Sequence, residues 1–363
     1  VTGPVTLTRL LTNLSGGTIN LSGGSVTLNP GATFTGAGLN EITGGTVTLA
    51  GTVAAPNLTI AGGTLAGTGT FDGTSHLIWS GGLMEGGSTT LAAGSTLLLT
   101  GSQQLGTPSG PHTLVNAGTI TWTGDGNFAS PHTSMLTNAA AGVFDIQGNG
   151  TVVWQAYAGY GMPTIANAGT LQKSAGTGTT TIGIRVTNTG TIDVQSGTLL
   201  LSGPVTNTGG TLKAGTSGTL TLSSTLSNFA SGTLTGGTYN VLGTMRLPTT
   251  SNIVTNAATI ILDGAGANLY SATTGLTDAL ADFTTNSSTG SFTIQNSRNF
   301  SQSAAFSNAG AITIGNLSTL TLSGGGTSTG SFTIGSGGTL AFAGGTHNLN
   351  TGASLTGAGS VTV

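Results

Sequence analysis

The stretch that decides the fold is Val186-Thr187-Asn188-Thr189-Gly190-Thr191-Ile192-Asp193-Val194, in which an Asn precedes a Gly and then a segment of alternating residues. The phrase recurs along the chain, in some places with substitutions. The Asn residues of these copies are Asn116, Asn138, Asn167, Asn188, Asn207, Asn228, Asn256 and Asn308. The intervals between these positions are 22, 29, 21, 19, 21, 28 and 52 residues. A self-similar phrase that recurs about every 20 residues is typical of a stacked-repeat architecture.

Each phrase continues into a segment with a period of two. Examples are Thr46-Val47-Thr48-Leu49, Thr219-Leu220-Thr221-Leu222 and Ser331-Phe332-Thr333-Ile334. Strict alternation of apolar residues with Thr or Ser indicates strands with one buried face and one solvated face. Gly pairs such as Gly44-Gly45 stand between the segments and supply the positive backbone angles that tight corners need.

Short strands with glycine corners fit either antiparallel hairpins or parallel strands wound into a solenoid. Asn-Gly and Asp-Gly hairpin turns are scarce, and identical phrases favour like residues stacking on one another. We therefore predict an all-β fold, a single parallel β-helix (β-solenoid) over 1–363 with coils of roughly 20 residues and a few loop insertions. Aromatic-rich looped coils are expected at 122–163 and a loop insertion at 271–290. The recurrent Asn side chains are expected to form an amide ladder from coil to coil.

The composition excludes several function classes. Glycine accounts for 65 of 363 residues, 4% of residues are charged, and six basic against nine acidic residues give a net charge of -3. Nucleic acid is a poor partner for such a chain, because no basic stripe can form. No apolar run approaches the length of a spanning helix, so we expect no membrane insertion. Cysteine is absent, which excludes disulfides and thiolate metal sites.

The phrases Asn116-Ala117-Gly118-Thr119-Ile120 and Asn188-Thr189-Gly190-Thr191-Ile192, together with Gly62-Gly63-Thr64-Leu65, resemble repeat regions of large bacterial surface proteins. Those proteins are the filamentous-haemagglutinin-like adhesins and the passenger regions of autotransporters. The resemblance covers nearly the whole chain and is compositional. It implies a right-handed β-helix that is exported, lies outside the cell or on its surface, and serves in attachment or as a structural coat.

Both ends of the sequence read as coil strands rather than as polar or helical caps. The apolar residues of these end strands include Val1, Val5, Leu7, Val361 and Val363. Exposed strand edges and apolar stack ends promote further pairing. Either the chain is a piece of a longer rod, or copies of it stack head to tail, in which case these five residues form the end-to-end contacts.

The chemistry-bearing residues are few and scattered. Asp193 and Lys213 lie at equivalent places in successive phrases and are expected to form an outward ion pair. The four histidines show no metal-ligand spacing, so neither a metal nor a cofactor is predicted. Because the acids do not cluster as a glycosidase or lyase site requires, the chain is predicted not to be an enzyme.

Aromatic residues concentrate between Trp122 and Met162. Trp122, Trp154, Tyr157 and Tyr160 are candidates for contact with a ligand or partner, such as a host or matrix glycan. The alternative is a loop whose aromatic rings pack on the solenoid.

The predicted function is that of an extracellular structural or adhesive β-solenoid that assembles with copies of itself into a filament, sheath or surface stalk. One alternative is a carbohydrate-binding or carbohydrate-cleaving β-helix. A second is an ice-binding solenoid, since Thr-x-Thr ladders present regular hydroxyl arrays. Residues such as Asp193 and Lys213 interrupt those ladders.

Overall fold

The computed structural model describes residues 4–131, 133–156, 158–248, 252–271 and 276–363. Over these residues the chain is all-β without a helix, and its parallel strands stack as a β-solenoid of about 17 turns with about 21 residues per turn. The predicted fold class is therefore confirmed. Antiparallel pairing occurs in local contacts, as between Phe229–Ala230 and the start of the strand Thr233–Val241.

The chain divides into two compact units, Val1–Thr191 and Ile192–Val363. The single continuous solenoid over 1–363 stays a prediction. The strands of the first unit are Val5–Leu7, Leu10–Thr12, Thr18–Leu21, Ser25–Leu28, Thr33–Thr35, Leu39–Ile42, Thr46–Leu49, Thr52–Val53, Leu58–Ile60, Thr64–Phe71, His76–Trp79, Leu83–Leu91, Thr96–Leu99, Gln103–Leu105, His112–Asn116, Thr119–Trp122, Asn127–Pro131, Met135–Asn138, Val143–Ile146, Thr151–Gln155, Thr164–Asn167, Thr170–Lys173, Thr179–Ile182 and Arg185–Asn188.

The second unit continues the same pattern. Its strands are Thr191–Leu201, which begins at the last residue of the first unit, then Val205–Thr206, Thr211–Leu222, Phe229–Ala230, Thr233–Val241, Thr244–Arg246, Thr255–Asp263, Asn268–Tyr270, Thr285–Asn286, Ser291–Gln295, Phe300–Gln302, Phe306–Asn308, Ala311–Ile314, Thr319–Leu322, Gly326–Ser328, Ser331–Ile334, Thr339–Phe342, His347–Leu349, Ser354–Gly357 and Ser360–Thr362.

The interior of each unit consists of columns of apolar side chains, one from each coil. In the first unit, one column runs in register through Leu58, Leu77, Leu97, Ile120, Phe144 and Leu171. In the second unit, a column runs through Leu212, Tyr239, Ile260, Phe292, Ile312 and Phe332. All of these side chains are buried. The alternation of apolar and hydroxyl residues thus fills the core from one strand face, as the period of two predicts.

Glycine corners stack as closely as the strands do. Gly45, Gly63 and Gly82 have φ values of 67°, 63° and 81°, which other residues rarely adopt. A Cβ atom built on Gly63 would lie 2.7 Å from the carbonyl carbon of Gly44 in the preceding coil. The glycine content therefore follows from both the corner conformation and the distance between coils.

The two looped segments contain regular strands as well. Strands occupy much of 122–163, and the described residues 156 and 158–163 lie outside them. Within 271–290, the described residues 276–284 lie outside the strands, and Ala279, Leu280 and Phe283 fold back into the core. The ring of Phe283 packs edge-on against Phe292 at 5.0 Å, so this loop is an integral part of the core.

Candidate functional site

A ladder of buried Asn side chains runs through the first unit. Nδ2 of Asn116 donates to Oδ1 of Asn138 at 2.8 Å, Asn138 donates to Asn167 at 2.8 Å, and Asn167 donates to Asn188 at 2.7 Å. All four side chains are at most 2% exposed. We call this set the Asn ladder of the first unit. Each rung links one coil to the next with a side-chain hydrogen bond that adds to the backbone pairing.

Each of the first three Asn amides also bonds to the backbone of the next coil. The carbonyl oxygens of Val143, Thr170 and Thr191 accept from Asn116, Asn138 and Asn167 at 2.9, 2.9 and 3.0 Å. Both amide protons of each of these residues thus have acceptors within hydrogen-bond distance. Burial of a side-chain amide costs free energy wherever a proton lacks an acceptor, and these contacts avoid that cost.

The glycines that follow these Asn residues leave room for the ladder. A Cβ atom at Gly142 would lie 2.5 Å from Oδ1 of Asn138, and one at Gly169 would lie 3.1 Å from Nδ2 of Asn138. The recurrent Asn-to-Gly phrase in the sequence is therefore a packing requirement, because any side chain there would displace the amide.

The second unit has a similar ladder with one rung that sequence analysis missed. Nδ2 of Asn256 donates to Oδ1 of Asn286 at 3.0 Å, and Asn286 donates to Asn308 at 2.9 Å. Asn286 divides the apparent interval of 52 residues, and the phrase that follows it is Ser-Ser-Thr-Gly rather than Ala-Gly. In the first unit, Asn13, Asn40 and Asn57 form another short series of side-chain hydrogen bonds.

Asn207 and Asn228 pair in a different geometry. The backbone N–H of Asn207 donates to Oδ1 of Asn228 at 2.7 Å, and Nδ2 of Asn228 donates back to the carbonyl of Asn207 at 3.2 Å. Nδ2 of Asn228 also bonds the carbonyl of Thr235 at 2.9 Å, across the local antiparallel turn. Asn228 therefore caps backbone groups at a turn.

The predicted aromatic contact residues lie in different environments. Trp122 is 0% exposed and packs beside Phe144 in the core, so its prediction as a ligand contact is wrong. It alternates with Thr121, which places its ring on the inner face of the strand. Trp154 is half-buried at the end of its strand and Tyr160 is 53% exposed. Tyr157 lies outside the described residues.

The end residues that the sequence predicts as end-to-end contacts differ in their exposure. Val5 and Leu7 are half-buried and pair in register with Val26 and Leu28. Val361 is 43% exposed, and Val363 is fully exposed. Val1 lies outside the described residues, and the end-to-end contact stays a prediction.

The described residues of the first unit line several grooves, of which two are considered for ligand binding. One, of about 450 Å³, is lined by Leu83, Ser102, Gln104 and Asn127 among others, and we call it the amide groove. The other, of about 350 Å³, is apolar and is lined by Leu39, Ile78 and Leu98 among others.

The outer face of the second unit carries two adjacent columns of short side chains. The first runs in register through Ser291, Ala311, Ser331 and Ser354, and the second through Thr293, Thr313, Thr333 and Thr356. We call these eight residues the hydroxyl face, and all of them except Ala311 carry a hydroxyl. Neighbouring coils lie about 4.8 Å apart, and residues two apart on a strand lie about 7 Å apart, so the array is regular in both directions.

The charged residues form mostly local contacts. Nζ of Lys213 lies 3.1 Å from Oδ2 of Asp193, which confirms the predicted cross-coil pairing. The outward placement is wrong for Asp193, which is 8% exposed. Among the residues that the structure describes, no group of three or more His, Asp or Glu is placed to hold a metal ion. In the same part of the chain, no helix is long and apolar enough to cross a membrane.

Two buried basic residues were missed by the sequence analysis. His112 is 1% exposed, its Nε2 lies 3.0 Å from the Thr89 hydroxyl, and burial lowers its pKa to about 4 against the opposing effect of the Glu85 backbone. Lys173 is 0% exposed and lies in the column of Leu99, Trp122 and Ile146. The signal was present, because alternation with Leu171 places Lys173 on the inner face of its strand.

Comparisons with known proteins do not identify a family for this chain. No protein-family model matches the chain, and no curated protein matches it. Among solved structures, it is similar to the crystal structure of a TibC-catalyzed hyper-glycosylated TibA55-350 fragment, with 12% identity, a TM-score of 0.35 and coverage of 100% of both chains. A TM-score and an identity this low assign neither a family nor a role.

Proposed function

We propose that this chain is a structural or adhesive β-solenoid that works outside the cell or on its surface. The observation that carries the proposal is the in-register stacking of like residues, which repeats the same outward side chains from coil to coil, as on the hydroxyl face. A surface of this kind offers many weak, identical contacts along a line. Such multivalent contact suits attachment and assembly, because linked weak contacts add up to strong retention.

Low charge supports copies of the same chain as partners. The net charge is -3 over 363 residues, so electrostatic repulsion between copies is small. Outward Ser and Thr side chains can donate and accept hydrogen bonds, which lets one hydroxyl face meet another.

Retention of coated beads under flow tests this proposal. Beads coated with the chain are passed over surfaces coated with the same chain, with mucin or with albumin. We expect more beads to be retained on the chain or on mucin than on albumin. Equal retention on all three surfaces would remove the adhesive role.

A charge variant gives the matched control for self-association. Replacing Thr293, Thr313 and Thr333 by Lys places three like charges in one outward column without altering the core. Retention on chain-coated surfaces should fall, while circular dichroism stays unchanged. The outward Thr27→Lys, Thr48→Lys double variant on the first unit adds charge elsewhere and should retain more beads than the triple variant.

Glycan binding in the amide groove is a second candidate. Gln104 and Asn127 place two planar amides in a groove of about 450 Å³, a volume within the usual range of small-ligand sites. Amides donate and accept at once, which suits paired sugar hydroxyls. Binding on a glycan array that is lost in Gln104→Ala with Asn127→Ala would support this candidate, and unchanged binding would reject the groove as its site.

Ice binding is favoured by one observation, the Thr column of the hydroxyl face, which continues through four successive coils. Asp193 and Lys213 interrupt the outward pattern on earlier strands of the second unit. Thermal hysteresis that disappears in the triple Lys variant would support this role, and its absence in the unaltered chain would reject it.

A further inference from the structure

Lys173 holds a position that its neighbours in the column fill with apolar side chains. It pairs in register with Ile146, which in turn pairs with Trp122. Lys173 is 0% exposed. Its Nζ donates to the Gly148 carbonyl at 2.7 Å and to the Thr180 hydroxyl at 3.1 Å. The amine is thus held between a corner of the preceding coil, at Gly148, and the strand Thr179–Ile182 that follows Lys173.

The third partner of this amine is a side-chain amide. Nζ of Lys173 lies 3.4 Å from Oδ1 of Asn149, on the corner that joins the strands Val143–Ile146 and Thr151–Gln155. Because Oδ1 is bonded to Cγ by about 1.2 Å, Nζ lies within about 5 Å of the carbonyl carbon that a nucleophile attacks. Lysine amines are established nucleophiles toward carbonyl carbons.

Two glycines of the following corner leave space for both groups. A Cβ atom at Gly176 would lie 3.0 Å from Nζ of Lys173 and 2.9 Å from Oδ1 of Asn149. A Cβ atom at Gly178 would lie 2.9 Å from Cγ of Asn149. Any larger residue at these positions would push the amine and the amide apart.

Asp125 holds the backbone of Asn149 through a hydrogen bond. Its Oδ1 accepts the backbone N–H of Asn149 at 2.6 Å, which anchors that residue to the coil before it. Because this contact is with the backbone of Asn149, Asp125 is a positioning residue.

Burial also prepares the amine for reaction. Desolvation lowers the pKa of Lys173, while the charge of Asp125 raises it in part. Removal from water disfavours the ammonium ion, and only the neutral amine has a lone pair for attack.

We propose that Lys173 and Asn149 form an intramolecular isopeptide bond that ties two successive coils together. The lone pair of Nζ attacks Cγ of Asn149, the Nζ–Cγ bond forms, and the Cγ–Nδ2 bond breaks. One proton from Nζ passes to the departing nitrogen through the solvent that reaches the exposed Asn149, and ammonia leaves. The step needs no oxidant, reductant or cofactor, and it does not depend on the adhesive role.

The intact mass of the full chain tests this proposal directly. Bond formation removes one ammonia, so the measured mass should lie about 17 Da below the mass of the sequence. Trypsin should then fail to cleave the denatured chain after Lys173, and residues 10–185 should remain in one peptide instead of being cut at 173. A measured mass equal to that of the sequence, together with complete cleavage after Lys173, would overturn the proposal.

A competing loss of ammonia must be distinguished from the cross-link. Asn149 precedes Gly150, and Asn-Gly sequences can cyclise to a succinimide with the same mass change. In Lys173→Met, which keeps the volume of the side chain, the isopeptide bond cannot form and the full mass should return. A mass loss that persists in Lys173→Met would identify the succinimide and reject the cross-link.

Asp125→Ala tests the positioning role. The cross-linked fraction of freshly made protein should fall at least several-fold, while circular dichroism and the final mass after long incubation remain those of the unaltered chain. An unchanged cross-linked fraction at all times would remove Asp125 from the proposal. Asn149→Ala, as a further variant, should abolish the cross-link and restore cleavage after Lys173.

Discussion

Asn138 donates a hydrogen bond from Nδ2 to Oδ1 of Asn167 over 2.8 Å, although the two residues are 29 positions apart in the sequence. The same contact joins Asn116 to Asn138 and Asn167 to Asn188. Because the interior members Asn138 and Asn167 both donate and accept, removal of either one leaves partners unsatisfied on both sides. The ladder is therefore more sensitive to loss of an interior rung than an isolated hydrogen bond would be.

Asn138→Ala is predicted to lower the free energy of unfolding by about 2 kcal/mol, because it leaves buried polar groups without partners. Thermal and urea unfolding followed by circular dichroism measure the change. Asn348→Ala is the control, since Asn348 is exposed and pairs only through its backbone with Thr327. Equal effects of the two substitutions would show that the ladder does not stabilise the fold.

Much of the fold could be predicted from sequence because its two periods are explicit. Alternation marks the strands, and the recurrence of the Asn phrase indicates parallel stacking. Asn286 was missed because Ser and Thr replace the usual residues before its Gly. Its position depends on the register with Asn256, which only the three-dimensional pairing provides.

The candidate contacts are harder to predict, because local composition and strand alternation point to opposite faces of the same strand. In Thr119-Ile120-Thr121-Trp122 the alternation places Trp122 inside with Ile120, yet the local density of aromatic residues indicated a surface. Lys173 follows Leu171 in the same way. Its contact with Asn149 joins two corners in neighbouring coils, and no spacing rule in the sequence reveals that proximity.

Tryptophan fluorescence separates the core indoles from the one near the surface. Trp79 and Trp122 are 0% exposed, whereas Trp154 is half-buried. Acrylamide should quench mainly Trp154, so Trp154→Phe should remove most of the quenchable emission. Trp122→Phe should leave that fraction in place, and loss of quenching in Trp122→Phe instead would place its ring at the surface.

Glycine stacking at the corners predicts different costs for two similar substitutions. Gly63 and Gly86 have φ values of 63° and 60°, so Ala at either site is strained by about 1 kcal/mol. At Gly63 the new Cβ would also lie 2.7 Å from the carbonyl carbon of Gly44, whereas nothing lies within 4 Å at Gly86.

Gly63→Ala should therefore destabilise the chain by a further 1–3 kcal/mol, roughly the cost of overpacking a tight site. Gly86→Ala is the matched control, because Gly86 is the extra residue at a β-bulge and a Cβ atom there has no atom of a neighbouring coil within 4 Å. Melting temperatures of the two variants measure the difference. Equal melting temperatures would mean that corner conformation alone, and not contact between coils, requires glycine.

Burial of His112 predicts a pH dependence of stability. Its pKa is lowered from 6.5 to about 4 in the folded chain, so the unfolded chain binds this proton more readily between these values. Its contribution to stability is present above pH 6.5 and is lost as the pH falls toward about 4, at about 1.4 kcal/mol for each pH unit. Urea unfolding at several pH values between these limits measures the slope. His112→Asn should reduce it, whereas His76→Gln, at an exposed site, should keep it because His112 is intact. A slope that survives in His112→Asn would assign the pH dependence to other groups, and the buried imidazole would then be protonated without cost to the fold.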